Sequence, residues 1–128
     1  MATTNNKARV LIIDDNPVML KTVGAMLGTE YDILIAKGGE KGLQSAEKYI
    51  PDLILLDIIM PGLTGFEVIE ILKKEDTTKN IPVIFLSGDD AQESREKGYS
   101  LGAVDYIEKP FVAEDVFSSV KKHLQNDI

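Results

Sequence analysis

Five short apolar runs constrain this chain more than any other feature: ARVLII (8–13), YDILIA (31–36), PDLILL (51–56), IPVIFL (81–86) and AVDYIE (103–108). Most are continuous rather than alternating. A strand that is apolar on both sides is covered on both sides, which is the mark of a parallel sheet held between two layers of helix. The segments between the runs carry helical spacing, as in Met19, Leu20, Val23, Met26 and Leu27, or Phe66, Ile69 and Leu72. Strand and helix therefore alternate along the chain.

Punctuation agrees with that alternation. Asn16 followed by Pro17 makes an N-cap and first-turn pair, and Gly28 suits the end of the same helix. The segment Val112 to Gln125 places Val116, Phe117, Val120 and Leu124 on one face, with Lys121, Lys122 and His123 near the end where cations favour the helix dipole. A chain of 128 residues that is 44% hydrophobic can bury a core of its own. With no repeat or linker, and three residues after Gln125, it reads as one domain over 1–128 with a core at about 8–125. The expected architecture is α/β, a (βα)₅ doubly wound parallel sheet whose right-handed crossovers leave few arrangements.

Composition removes several functions. A formal net charge of -7 repels a phosphate backbone or an anionic lipid surface, which argues against direct nucleic-acid or membrane binding. The absence of cysteine removes disulfides, thiolate metal sites and cysteine nucleophiles. His123 is the single histidine, so neither a histidine metal cluster nor a Ser-His-Asp triad can be built. No apolar signal core opens the chain, and no run approaches the roughly 20 residues of a membrane-spanning helix. A soluble, cytoplasmic protein is expected.

The polar residues that interrupt the apolar runs fall at the C-terminal end of each strand: Asp14 and Asp15 after the first, Asp57 after the third, Ser87 after the fourth and Lys109 after the fifth. That edge is where open α/β sheets bind ligands. If the strand order is 2-1-3-4-5, one of those a doubly wound sheet adopts, the first and third strands are neighbours and the three acids converge on one cleft flanked by Ser87 and Lys109. Three carboxylates in one cleft need protonation or a cation to compensate them. Hard oxygen ligands select Mg²⁺ over zinc or copper, and Mg²⁺ typically takes one or two carboxylates plus phosphate oxygens. Lys109 would supply a second positive charge to those oxygens and Ser87 a hydroxyl donor, which are the parts of a phosphoryl transfer to Asp57. Any one of these residues alone is better explained as a turn, a cap or a solvated side chain. The weight lies in five of them sharing one edge.

At these positions the sequence resembles the receiver domain of bacterial two-component response regulators, single-domain and chemotaxis-regulator-like, from about Arg9 to Gln125. The matching stretches are VLIIDDNP (10–17), DLILLDIIMPGLTGFEV (52–68), IPVIFLSG (81–88) and GAVDYIEKPF (102–111), which are specific together and weak singly. The resemblance implies a flavodoxin-like sheet of order 2-1-3-4-5 and a signalling module rather than an enzyme, one that catalyses its own phosphorylation and dephosphorylation. It implies that Asp57 accepts a phosphoryl group from a phosphohistidine on a sensor histidine kinase or histidine phosphotransfer domain. It further implies that Asp15 ligates Mg²⁺ directly, Asp14 mostly through water, and the backbone carbonyl of Ile59 as well. Lys109 would contact the phosphoryl oxygens, and the Lys109–Pro110 bond would be cis. Ser87 would turn toward the phosphoryl group as Tyr106 moves inward, altering the face made by the fourth helix, fifth strand and fifth helix.

Thr64 departs from the commonest pattern, where an Asp stands, but threonine also caps a helix. Ile59 and Asp89 are the variable side chains nearest the expected phosphoryl site, and together they should give the acyl phosphate a distinctive lifetime. The runner-up reading is a Mg²⁺-dependent aspartyl-phosphate phosphohydrolase. Such enzymes carry a nucleophilic D-x-D near the first strand, whereas this chain has Asp14-Asp15-Asn16-Pro17 and lacks the length for a substrate cap. Gly38, Gly39 and Gly42 lack dinucleotide-fingerprint spacing, and no Walker lysine motif is present. A receiver-like scaffold that takes no phosphate is disfavoured by retention of all five site residues.

Overall fold

The computed structural model describes residues 7–88 and 92–125. Ten elements alternate: β1 (Arg9–Ile13), α1 (Pro17–Leu27), β2 (Asp32–Ala36), α2 (Gly39–Tyr49), β3 (Leu53–Asp57), α3 (Gly65–Lys74), β4 (Val83–Ser87), α4 (Gln92–Ser100), β5 (Asp105–Glu108) and α5 (Ala113–Gln125). The strands form one parallel sheet in the order β2-β1-β3-β4-β5. The expected topology is thus the observed one.

The continuous apolar runs are explained by two cores, one on each face. Val10, Ile12, Leu53, Leu55, Ile84 and Leu86 point toward Leu20, Val23 and Leu27 of α1 and Val116 and Val120 of α5. Their sequence neighbours Leu11, Ile13, Ile54, Leu56, Val83 and Phe85 pack on the opposite side, with Val68, Ile69 and Leu72 of α3 and Ala46 of α2. In β3 and β4, and in β1 after Arg9, each residue is buried whichever way it points, so alternation disappears from the sequence there. Burial of each such Leu, Ile or Val contributes about 1.5–3 kcal/mol relative to exposure.

Local chemistry starts and stops the helices. The Asn16 side chain accepts from the Val18 and Met19 amides at 2.9 and 3.4 Å, capping α1 as its sequence suggests. Thr64 forms a reciprocal capping box with Glu67 at the head of α3: Glu67 N–H donates to Thr64 Oγ1, and Thr64 N–H donates to Glu67 Oε1. Gly28 does end α1, but with φ of -66°, so the stop makes no use of glycine's left-handed freedom.

That freedom is needed one helix later, where Ile50 caps α2 at φ 45° and ψ 67°. A left-handed conformation costs a non-glycine residue roughly 1–2 kcal/mol, and Ile50 is 45% exposed. Ile50→Gly should therefore raise stability by about 0.5–1 kcal/mol despite the lost side chain, read as a higher urea midpoint at constant slope.

Candidate functional site

β1 and β3 are hydrogen-bonded neighbours with Ile13 opposite Leu56. The residues that follow Ile13 are thereby delivered beside Asp57, the last residue of β3. Asp14 continues toward β2 through its amide, which donates to the Ala36 carbonyl at 3.1 Å. Its side chain turns inward and is buried, as is that of Asp57, whereas Asp15 is exposed. One carboxylate oxygen from each of Asp14, Asp15 and Asp57 lies within 4.8 Å of the others.

Lys109 enters from the end of β5. Its amide donates to the Ser87 carbonyl at 2.7 Å, tying the strand end to β4. Its ammonium then stands 3.6 Å from Asp14 Oδ2 and 3.6 Å from Asp57 Oδ1. The Lys109–Pro110 peptide is cis. Ser87, fully buried, ends β4 opposite Glu108 of β5. Tyr106 does not line the cleft: it is 4% exposed, on the α4 side of the sheet, with its ring 6.2 Å from that of Phe85. The Ile59 side chain is 68% exposed just past Ile58. Asp89 lies outside the described residues.

The electrostatics leave the cleft short of positive charge. Asp57 is pushed up to about 6, first by burial and then by the nearby Asp14 carboxylate, with Lys109 and the Ile58 amide pulling the other way. The Ile58 N–H donates to Asp57 Oδ1 at 2.9 Å, and the Asn16 N–H donates to Asp14 Oδ1 at 3.0 Å. Asp14 Oδ2, by contrast, is buried with no hydrogen-bond donor among the described residues, the Lys109 ammonium standing 3.6 Å away. A buried carboxylate oxygen without a donor is costly and is normally satisfied by an ion, water or ligand. Among the described residues the Lys109 ammonium stands beside Asp14 and Asp57 only, and every candidate ligand atom of the three acids is a hard oxygen. This donor set fits a small divalent cation such as Mg²⁺.

Two contributors escaped the sequence reading. Gly65, first residue of α3, donates its N–H to the Ile58 carbonyl at 2.8 Å and leaves no room for a Cβ against the backbone of Asp57 and Ile58. Its signal was a glycine directly after the capping Thr64. Arg95 of α4, which covers Tyr106, left no signal, because α4 has no apolar stripe and Gly98 is its one buried residue.

The family described as response regulator receiver domain matches residues 10–121. Protein PilH of Pseudomonas aeruginosa is 37% identical over 88% of this chain and 94% of its own length. Response regulator PleD of Caulobacter vibrioides is 36% identical over 89% of this chain but only 25% of its own length. Against three longer curated relatives the chain spans about a quarter to just over half of their length, from 25% to 57%. Among solved structures, the chemotaxis protein CheY4 of Vibrio cholerae superposes with a TM-score of 0.86 at 28% identity, covering 91% of this chain and 98% of that one.

Proposed function

Because the chain belongs to the response regulator receiver domain family of two-component signalling, we propose that Asp57 is its phospho-acceptor, served by Mg²⁺ and Lys109. The observation that carries this reading is the convergence on one sheet edge of the Asp14, Asp15 and Asp57 carboxylates with the Lys109 ammonium. The donor is a phosphohistidine of a sensor histidine kinase or histidine phosphotransfer domain. An Asp57 oxygen forms the new O–P bond while the donor's N–P bond breaks, and the leaving imidazole takes up a proton.

Each residue has a distinct task. Asp14 and Asp15, with Asp57 itself and the Ile59 carbonyl, would hold the cation, which when bound would offset negative charge on the carboxylates and the phosphoryl oxygens. Lys109 stands 3.6 Å from Asp57 Oδ1 and neutralises the phosphoryl group once Asp57 carries it. Ser87, at the end of the adjacent strand, supplies a hydroxyl to that group and with Tyr106 relays its arrival to the face formed by α4, β5 and α5. Uptake and loss of the phosphoryl group are both promoted by these side chains, so the module acts on itself rather than on a diffusing substrate. The setting is cytoplasmic.

Incubation with acetyl phosphate tests this reading by intact mass. One phosphoryl group per chain is expected with Mg²⁺ and none with excess chelator. Turnover of a small phosphomonoester for many cycles per molecule would instead indicate a phosphohydrolase.

Ile59 stands exposed at the mouth of the cleft, two residues beyond the acceptor. Exchanging Ile59 and Asp89 for other side chains should change the decay rate of the acyl phosphate, the exposed Ile59 standing where water would approach. An unchanged rate in the double variant would remove Ile59 and Asp89 from the account.

A further inference from the structure

Tyr106 is enclosed on three sides by residues outside the phosphoryl site. Phe85 of β4 lies beneath it, with ring centroids 6.2 Å apart at 58°. Gly98 of α4 leaves the room: a Cβ there would come within 3.1 Å of Phe85 and 3.4 Å of the Tyr106 ring. The third wall is Arg95, one turn earlier on α4, whose guanidinium lies 4.8 Å from the centroid of the Tyr106 ring.

Arg95 is fixed there by two further contacts on β5. It donates to the Tyr106 backbone carbonyl at 3.3 Å and forms an ion pair with Glu108. A single side chain thus grips the ring, the backbone and a carboxylate two residues on, and closes α4 against β5. Arg95 is suited to this because its planar fork can donate to a carbonyl and a carboxylate while its face rests on an aromatic ring. The grip forms one rim of an open groove of about 490 Å³ lined by Asp105, Glu108, Asp115, Ser119 and Lys122.

We propose that Arg95 and Glu108 are a latch and its catch, which hold Tyr106 buried and set the shape of the α4–β5–α5 groove. Glu108 immediately precedes Lys109. The carboxylate of one is bound to α4, while the ammonium of the other faces Asp57 in the cleft. A two-residue strand end is therefore held from both sides, and charge arriving at Asp57 acts on the same backbone that the latch restrains. The importance of this for signalling rests on the receiver reading above, but the latch itself does not.

The test accordingly uses the full chain with no phosphoryl donor and with chelator present. Nuclear Overhauser contacts between the Tyr106 and Phe85 rings, assigned with Tyr106→Phe, report burial, and hydrogen exchange of the Tyr106 to Glu108 amides reports the grip on β5. Arg95→Met keeps length and removes charge; Glu108→Gln keeps shape and releases the catch. Both should weaken the ring contacts and speed exchange at Tyr106 to Glu108 by about fivefold or more, while amides of Val10 to Ile13 stay unchanged. High salt should move the wild type in the same direction. Should Arg95→Met fail to fold, Glu108→Gln and the salt series still decide. Unaltered ring contacts and exchange in Glu108→Gln and in high salt would overturn the latch. Because none of these readouts involves phosphate, they stand apart from any failure of Asp57 to be phosphorylated.

Discussion

Asp57→Asn should take up no phosphoryl group and yet be the more stable protein in metal-free buffer at neutral pH. The Asp57 carboxyl is raised to about 6, chiefly by burial and by Asp14, against an ordinary value of 3.8 in the unfolded chain. Between these two values the folded state keeps a proton that the unfolded state has released, so this group's contribution to stability falls as pH rises. Above about pH 6 the whole penalty is present, and asparagine escapes it. Allowing for the coupling with Asp14 and Lys109, the gain is about 1–2 kcal/mol at pH 7.5 and shrinks toward pH 4. Urea unfolding of both proteins at the two pH values measures it. Saturating Mg²⁺ should reverse the order, since a ligand at about 100 times its Kd stabilises the native state by about 2.7 kcal/mol and the variant has lost one of its carboxylates.

Gly65→Ala should be the most damaging single methyl in the neighbourhood of the site. The added Cβ would fall inside contact distance of the Asp57 carbonyl oxygen, 2.8 Å from Ile58 Cα and 3.0 Å from the Asp57 carbonyl carbon. All three are backbone atoms at the end of the central strand, so no side chain can swing aside. Relief requires α3 to move off β3, which breaks the hydrogen bond from Gly65 N–H to the Ile58 carbonyl and disturbs the backbone that aims Asp57. A cost of about 3 kcal/mol or more follows from overpacking against backbone, together with weakened phosphoryl uptake. Gly88→Ala is the control, because an added Cβ there meets nothing within 4 Å among the described residues. Its effect should stay within about 0.5 kcal/mol.

The sequence disclosed the fold through burial and the site through position. Residues 10 to 13 and 53 to 56 are apolar at every step because each lies under one helical layer or the other. This continuity identified a covered parallel sheet but not which strands are neighbours; the order came from the resemblance. Strand edges were misjudged by up to two residues, since Pro51 and Asp52 are not part of the β3 ladder while Asp57 is. The five candidate residues stand out in the sequence as polar residues ending apolar runs, and the fold brings the three acids and the Lys109 ammonium together. Which acid is buried was not, for adjacent Asp14 and Asp15 differ only in the direction the chain turns after β1. Ile50 and Gly28 exchange the backbone roles their side chains suggest, with the left-handed cap on the β-branched residue. Contacts that join distant elements through charge, such as Arg95 with Glu108, leave no periodic trace at all.

The central claim is that this acidic edge receives a phosphoryl group at one particular carboxylate. Its most direct measurement is chemical trapping: protein treated with acetyl phosphate and Mg²⁺ is reduced with borohydride, which converts an acyl phosphate to an alcohol, and the peptides are sequenced by mass spectrometry. The account predicts homoserine at position 57 alone, dependent on Mg²⁺. Reduction product at Asp14, Asp15 or any other acid, or undiminished labelling of Asp57→Asn, would contradict it.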